Sequence, residues 1–203
     1  MSSAHAFFNR AQFTLSAHAL GQLPADAGAE IAFAGRSNVG KSSLINAVCS
    51  RRGLVKVSKT PGRTQALNVF HLDDDVRLVD LPGYGYAKAP LASQTRWQQL
   101  VERYLQNRQC LAGLVMIMDI RHPLQPLDAQ MLSWAQASGV TGVVVLNKAD
   151  KLKRGPAAQA KQQVQRSIRS QWGEVFSVSV CSAEKGDGIE PLRDMLLSWL
   201  AAG

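Results

Sequence analysis

A glycine-rich segment near residue 35 lies between an apolar run and a segment of helical character. Residues 35–42 read GRSNVGKS. In such a loop the glycines let backbone N–H groups wrap phosphate oxygens, and the following helix N-terminus adds favourable partial charge. We predict that Lys41 reaches the β- and γ-phosphates of a nucleotide and that the Ser42 hydroxyl binds Mg²⁺, which needs only one or two protein oxygens beside phosphate and water. The full set of predicted contacts is Gly35, Arg36, Ser37, Asn38, Val39, Gly40, Lys41 and Ser42.

A second motif, which is acidic, lies at the end of the apolar run at residues 76–81. Asp80, Leu81, Pro82 and Gly83 stand at its end. Nucleotide triphosphatases with a phosphate loop present an acid to the magnesium shell at this place, and a glycine N–H to the γ-phosphate. An aspartate before a proline-glycine turn is common in ordinary loops. The prediction for Asp80 and Gly83 therefore depends on the phosphate loop.

A third motif indicates which base is bound. Asn147, Lys148, Ala149 and Asp150 follow the apolar run 143–146. A carboxylate at Asp150 can accept hydrogen bonds from the N1–H and N2–H₂ groups of guanine, whereas adenine offers no such donor pair. Sites built for hydrogen bonds reject ligands that lack them, so we predict selection of GTP over ATP. Ser182 and Ala183 are candidates for backbone support of the guanine O6, a pair that is uninformative alone.

Residues 58–65 (SKTPGRTQ) lie where a mobile switch must bring a threonine to magnesium when γ-phosphate is present. We choose Thr64, which follows a Pro-Gly turn and directly precedes a predicted strand. Thr60 precedes proline and is restricted to extended geometry. The alternative is that Thr64 is an ordinary turn residue.

Strands and helices alternate along the chain, which predicts an α/β, doubly wound, mostly parallel sheet flanked by helices, the fold of P-loop nucleotide triphosphatases. We expect six strands, at 30–35, 66–72, 76–81, 111–120, 143–146 and 175–180. Helices are expected at 41–50, 93–108, 127–137, 156–172 and from Ile189 onward. Residues 1–29 show no clear periodicity and are interpreted as a partly ordered lead-in to a domain at 30–203.

Composition limits the class of protein and suggests a partner. The chain has 203 residues, 46% of them hydrophobic, and a net charge of +8. Residues 51–63 contain five basic residues and no acid, and residues 151–170 contain six and none. Such charge favours RNA, although solvated loop and helix faces remain the alternative.

No run reaches the roughly 18 apolar residues of a membrane span, and residues 1–10 lack the pattern of a signal peptide, so the expected location is the cytoplasm. Cys49, Cys110 and Cys181 have no metal-ligand spacing and are expected to be small buried residues.

Together, GRSNVGKSSLIN, SKTPGRTQ, DLPGYGYA, NKAD and CSAEKGDG resemble the EngB family of bacterial GTPases, over about residues 7 to 200. The resemblance implies GTP hydrolysis to GDP and phosphate, assembly of the large ribosomal subunit, and a link to cell division and septation. It implies magnesium at Ser42 and Thr64. It also implies nucleotide contacts at Gly62, Arg63, Thr64, Gln65 and Ala66, besides those already named. We place the catalytic contributions on Lys41, Thr64 and Gly83 and expect a monomer.

Two alternatives and one uncertainty of mechanism stay open. The first alternative is a nucleotide-dependent scaffold at the division site without direct RNA binding, and the second is an ATP-using kinase, which Asn147 and Asp150 disfavour.

Tyr84 stands where many GTPases place a water-orienting glutamine, so intrinsic hydrolysis should be slow. Asn38 either helps to hold a potassium ion that stabilises the transition state or supports the loop through local hydrogen bonds.

Overall fold

Seven strands form one sheet in the part of the chain that the structure describes. The computed structural model describes residues 2–56, 66–85 and 91–201. The strands are β1 Gln12–Ala17, β2 Ala29–Gly35, β3 Leu67–Asp73, β4 Val76–Asp80, β5 Leu111–Asp119, β6 Gly142–Asn147 and β7 Phe176–Val180. The helices are α1 Ser3–Phe8, α2 Lys41–Val48, α3 Leu91–Asn107, α4 Pro126–Ala137, α5 Arg154–Trp172 and α6 Ile189–Ala201.

The sheet has the order β1-β3-β4-β2-β5-β6-β7, with β4, β2, β5, β6 and β7 parallel and β3 antiparallel to both of its neighbours. The predicted α/β class and doubly wound architecture are confirmed. All residues of β2 and of β6 are buried, as expected of strands covered on both faces. Because these strands are parallel, the loops at their carboxyl ends meet at one edge of the sheet, where the predicted motifs lie.

The expected number of six strands is wrong, because part of the lead-in forms β1. This strand pairs with β3 at the edge of the sheet, and only Ala17 of its six residues is buried. An edge strand with little burial needs no alternation of apolar and polar residues, so its sequence carries a weak signal. The lead-in also contributes α1, whose Phe8 is buried against the core.

Alternate residues of the central strands bury opposite faces of the sheet. Ala32 and Met116 face a cluster that includes residues of α3, α4 and α5, while Phe33 and Ile117 face residues of α1, α2 and α6. The predicted apolar stripe of α3 is confirmed, since Trp97, Val101, Tyr104 and Leu105 are buried and Leu100 is partly buried. The three cysteines are free and buried, as expected.

A buried polar cluster closes the amino end of β2. We call Glu30, Arg77, Tyr104 and Arg108 the Glu30 cluster. Glu30 is fully buried and accepts hydrogen bonds from Arg77 Nε at 2.8 Å, Arg108 Nη2 at 2.6 Å and the Tyr104 hydroxyl at 3.0 Å. Burial alone would raise the pKa of Glu30, but its contacts with Arg108 and Arg77 lower it. The carboxylate is therefore ionised and fully paired.

Within the described ranges, no helix is both long and apolar enough to cross a membrane.

Candidate nucleotide-binding site

The phosphate loop joins β2, which ends at Gly35, to α2, which begins at Lys41. Gly40 has φ 91°, and a β-carbon there would lie 2.4 Å from Asn147 Nδ2. Glycine is therefore required for both its backbone conformation and its space. As the residue before the helix, Gly40 has no side chain to satisfy the first N–H groups of α2. These N–H groups are suited to an anion such as phosphate.

A buried ion pair lies beside this loop. Lys41 Nζ donates to Asp80 Oδ1, and the two side chains are 11% and 5% exposed. β4 delivers Asp80 because it pairs in parallel with β2, with Asp80 opposite Phe33. A cation and a carboxylate thus stand together at the end of adjacent strands, where nucleotide phosphates and their metal ion are bound in this fold.

The segment after Asp80 lies against the phosphate loop. The Leu81 N–H donates to the Phe33 carbonyl at 2.9 Å, and the Ser37 N–H donates to the Tyr84 carbonyl at 2.8 Å. A β-carbon on Gly83 would be 3.5 Å from Ser37 Oγ. The structure therefore brings together the phosphate loop and the acidic motif, which are far apart in sequence.

The side chain of Tyr84 points into the core. Tyr84 is 3% exposed, and its hydroxyl donates to Asp128 Oδ1 at 2.8 Å. Burial, and then the nearby carboxylate, raise the pKa of Tyr84 well above its ordinary value. The phenol is thus neutral and engaged elsewhere. Sequence reasoning identified Tyr84 but missed Asp128, since no local pattern indicates a pairing between residues so distant in the chain.

The Asn147 side chain bonds to two other predicted motifs, the phosphate loop and the Ser182-Ala183 loop. Its Nδ2 donates to the Val39 carbonyl of the phosphate loop at 3.0 Å, and its Oδ1 accepts from the Ala183 N–H at 3.1 Å. Asn147 is 2% exposed, so both bonds are shielded from water. One amide side chain therefore fixes the relative position of the phosphate loop and the predicted base-binding loops.

Lys148 has a left-handed backbone, with φ 64°, that directs its side chain across the phosphate loop. Its Nζ donates to the Asn38 carbonyl and lies 3.0 Å from Asp119 Oδ2. Arg121 also binds Asp119 through its side chain, at 2.9 and 2.6 Å. Hydrogen bonds from Arg121 and Lys148 hold the pKa of Asp119 well below its ordinary value. Asp119 was not predicted, although an acid at the end of an apolar strand is a usable signal.

The carboxylate of Asp150 faces the loop that carries Ser182. It accepts from Ser182 Oγ at 2.6 Å and from Lys151 Nζ at 2.8 Å. Hydrogen bonds from Lys151 and Ser182 lower the pKa of Asp150, so it is ionised at neutral pH. Each carboxylate oxygen can accept more than one hydrogen bond, so acceptor capacity remains for a ligand.

The structure describes only part of the predicted nucleotide contacts before β3. Gly62, Arg63, Thr64 and Gln65 lie outside the described residues, whereas Ala66 is buried just before β3. Ser42 is half-buried in the first turn of α2. Within residues 2–56, 66–85 and 91–201, no group of three or more His, Cys, Asp or Glu side chains could hold a metal ion.

A cavity of about 730 Å³ lies at the other end of the sheet, near the tip of the β3–β4 hairpin. Its lining includes Arg10, Arg51, His71 and Asp73, and none of the predicted site residues. The predicted motifs converge around the phosphate loop and not at this cavity.

Comparison with known proteins identifies the family. The model of the family described as 50S ribosome-binding GTPase matches residues 30–148, and that of the elongation factor Tu GTP binding domain matches residues 95–202.

Two similar sequences are named Probable GTP-binding protein EngB. That of Stenotrophomonas maltophilia is 50% identical over 94% of this chain and 96% of its own length. That of Methylobacillus flagellatus is 50% identical over 96% and 94%. The crystal structure of a probable GTP-binding protein engB matches with a TM-score of 0.69 and 25% identity, covering 86% of this chain and all of that one. The chain therefore belongs to the EngB family of GTP-binding proteins, which are P-loop GTPases.

Proposed function

We propose that this chain is a Mg²⁺-dependent molecular switch that hydrolyses GTP to GDP and phosphate during assembly of the large ribosomal subunit. The observation that carries the nucleotide part is the Asn147 side chain, which bonds to both the phosphate loop and the Ser182-Ala183 loop. Asp150 lies beside the same loop, so a single site can bind a base and its phosphates together.

In this proposal Asp150 accepts from the guanine N1–H and N2–H₂ groups, and Lys148 lies over the phosphate loop. The Ala183 N–H donates to Asn147 in this structure, so the guanine O6 would share or replace that bond. Lys41 exchanges its contact with Asp80 for the β- and γ-phosphates when nucleotide binds. Asp80 is then left to face the magnesium shell.

The donor set suits magnesium, which prefers oxygen ligands and keeps several waters. Ser42 is the second residue of the helix after the phosphate loop, and its neighbour Lys41 bonds to the buried Asp80 carboxylate. We propose that Ser42 and Thr64 hold the ion, with Asp80 in its outer shell. When bound, Mg²⁺ neutralises phosphate charge during transfer.

Slow intrinsic hydrolysis is part of the proposal, and the burial of Tyr84 supports it. A side chain whose hydroxyl is bonded to Asp128 inside the core cannot orient an attacking water. Asn38 is exposed, and its side-chain amide makes no hydrogen bond to other described residues. The exposed side chain can therefore reach a ligand, and we propose that it helps to hold a potassium ion.

Charge on α5 supports an RNA partner. The basic residues of this helix and the residue before it, all exposed, are Lys153, Arg154, Lys161, Arg166 and Arg169. The matching family is described as 50S ribosome-binding GTPase, which supports a large-subunit partner. We propose a monomer in the cytoplasm that uses this surface, and the segment around Lys56, to contact ribosomal RNA. The link to cell division and septation belongs to the same proposal.

The test is co-sedimentation of the GTP-loaded protein with large ribosomal subunits across a salt series. The double variants Lys153→Glu/Arg154→Glu and Lys56→Glu/Lys59→Glu should bind the subunits more weakly, with a smaller salt dependence and unchanged GTP affinity. A matched control reverses two exposed arginines of α3, Arg96 and Arg103, and so makes the same change in net charge.

If the control weakens subunit binding equally, the effect depends on net charge alone. If both test variants bind the subunits as the wild type does, these two segments do not contact RNA. Binding to division-site proteins without any binding to ribosomal subunits would support the scaffold alternative.

A further inference from the structure

The hydroxyl of Tyr84 makes a buried hydrogen bond that the proposed reaction does not use. Its acceptor is Asp128 Oδ1, at 2.8 Å, and Asp128 is 1% exposed. The other carboxylate oxygen of Asp128 accepts from the Gln125 N–H at 3.0 Å, at the beginning of α4. A carboxylate buried at this depth is costly unless its bonds are satisfied. Both oxygens of Asp128 have donors, so the buried pair fixes the Tyr84 hydroxyl to the beginning of α4.

Contacts from α3 and from the phosphate loop hold the same segment. The Trp97 indole N–H donates to the Pro82 carbonyl at 2.9 Å. The rings of Trp97 and Tyr84 lie with centroids 5.1 Å apart. The Tyr84 carbonyl accepts from the Ser37 N–H of the phosphate loop at 2.8 Å. Helices α3 and α4 thus both hold the residues on either side of Gly83.

Gly83 is held close to the phosphate loop as a result. A β-carbon built on it would be 3.8 Å from both the Gly35 carbonyl and the Ser37 N, and 3.5 Å from Ser37 Oγ. These are ordinary contact distances, so the first carbon of a side chain at Gly83 would touch the phosphate loop without a clash. A backbone N–H held here is close to where the terminal phosphate of a nucleotide is bound.

We propose that Asp128 is a positioning residue for GTP, which acts through the Tyr84 hydroxyl to hold Gly83 against the phosphate loop. The inference rests on the proposed function, because it takes the Gly83 N–H as the contact to the γ-phosphate. GDP lacks that phosphate. The Tyr84–Asp128 bond therefore contributes to GTP affinity and leaves GDP affinity unaffected.

The test compares the Kd of GDP with that of a non-hydrolysable GTP analogue, in magnesium, for Tyr84→Phe, for Asp128→Ala and for the double variant. Each single variant should raise the ratio of the analogue Kd to the GDP Kd by about fivefold or more. The double variant should add no further increase, because both changes remove the same contact. Asp128→Ala keeps the proposal testable if Tyr84→Phe fails to fold.

Tyr104→Phe is the matched control. Its hydroxyl is also fully buried and also bonds to a carboxylate, Glu30 Oε2 at 3.0 Å, but at the opposite end of β2. This variant should lose stability and leave the nucleotide ratio unchanged. A ratio that moves as far in Tyr104→Phe as in Tyr84→Phe would reduce the effect to general loss of stability and overturn the inference.

Gly83→Ala separates the inference from the proposed function. Among the described residues its methyl group meets no atom of another part of the chain closer than 3.5 Å, so a loss of analogue binding would reflect the ligand. If Gly83→Ala lowers analogue affinity while Tyr84→Phe and Asp128→Ala do not, the positioning role is refuted and the γ-phosphate contact stands. If Gly83→Ala leaves the ratio unchanged as well, the γ-phosphate contact itself is wrong.

Discussion

Replacing Asp150 with asparagine should change the base that the protein prefers. The carboxylate is 8% exposed and is held by Ser182 Oγ and Lys151 Nζ. Its ionised oxygens match the two donor groups of guanine. The Asp150→Asn variant keeps one acceptor and places an amide donor against the guanine amino group. Xanthine carries a carbonyl there, which the amide can donate to.

The expected magnitude follows from the bonds that are lost. A hydrogen bond to a charged group contributes about 1.5 to 3 kcal/mol, and the opposed donors add a desolvation cost. A total near 3 kcal/mol corresponds to GTP and GDP binding weakened on the order of a hundredfold. Binding of xanthine nucleotides should rise by a similar factor relative to guanine nucleotides.

Displacement of a fluorescent guanine or xanthine nucleotide by GDP, XDP and ADP measures the preference directly. Glu184→Gln is a matched control, because Glu184 binds the same Lys151 Nζ, at 3.2 Å, and its side chain is 63% exposed. The control makes the same carboxylate-to-amide change and should leave the preference unaltered. If Asp150→Asn retains an unchanged preference for guanine, the placement of the base beside Asp150 is refuted.

Three further predictions concern the loop, the fold and the chemistry. Gly40→Ala should abolish nucleotide binding and lower the free energy of unfolding by roughly 1 to 3 kcal/mol. The alanine would have to adopt φ 91°, and its β-carbon would lie 2.4 Å from Asn147 Nδ2. At Gly53, φ is 77° and a built β-carbon meets no atom of the described chain within 4 Å, so Gly53→Ala should show only the backbone strain in thermal unfolding. Burial raises the pKa of Asp26, but backbone hydrogen bonds hold it at about 2, below its ordinary 3.8. Asp26 therefore stabilises the fold above pH 4 and loses that effect as pH falls towards 2. Since the side chain is 35% exposed, Asp26→Asn should cost about 1 kcal/mol at pH 7, and only a small part of that cost should remain at pH 2 in acid titrations of unfolding. Single-turnover GTP hydrolysis should be faster in potassium than in sodium, and Asn38→Ala should remove the difference; equal rates in both salts would refute the potassium role.

The sequence predicts the parallel core of this fold well because its signals are local. The run at 111–120 is almost continuously apolar, and the structure has β5 at Leu111–Asp119. The motifs after β2, β4 and β6 are found by composition and by their position at strand ends. Parallel pairing then brings those ends to one edge of the sheet, without any further information from the sequence.

The remaining features depend on contacts between distant residues. β1 gains its conformation from pairing with β3, and Phe13 in it is 54% exposed, so no apolar pattern marks the strand. Asp128 sits in a helix that was predicted, yet its burial against Tyr84 depends on how α4 meets the sheet. Charged residues inside a core have no sequence signature of their own, since most charges are exposed.

The Glu30 cluster sets a limit on how far the chain can be shortened. A fragment that begins at Glu30 would keep every nucleotide motif. It would also lose the Ala25 and Ala27 carbonyls, which accept from Arg77, and Asp26, which accepts from two backbone N–H groups before β5. Without β1, the unpaired edge of β3 would be open to pairing between molecules. Such a fragment should therefore aggregate on expression, even though nothing that touches nucleotide has been removed.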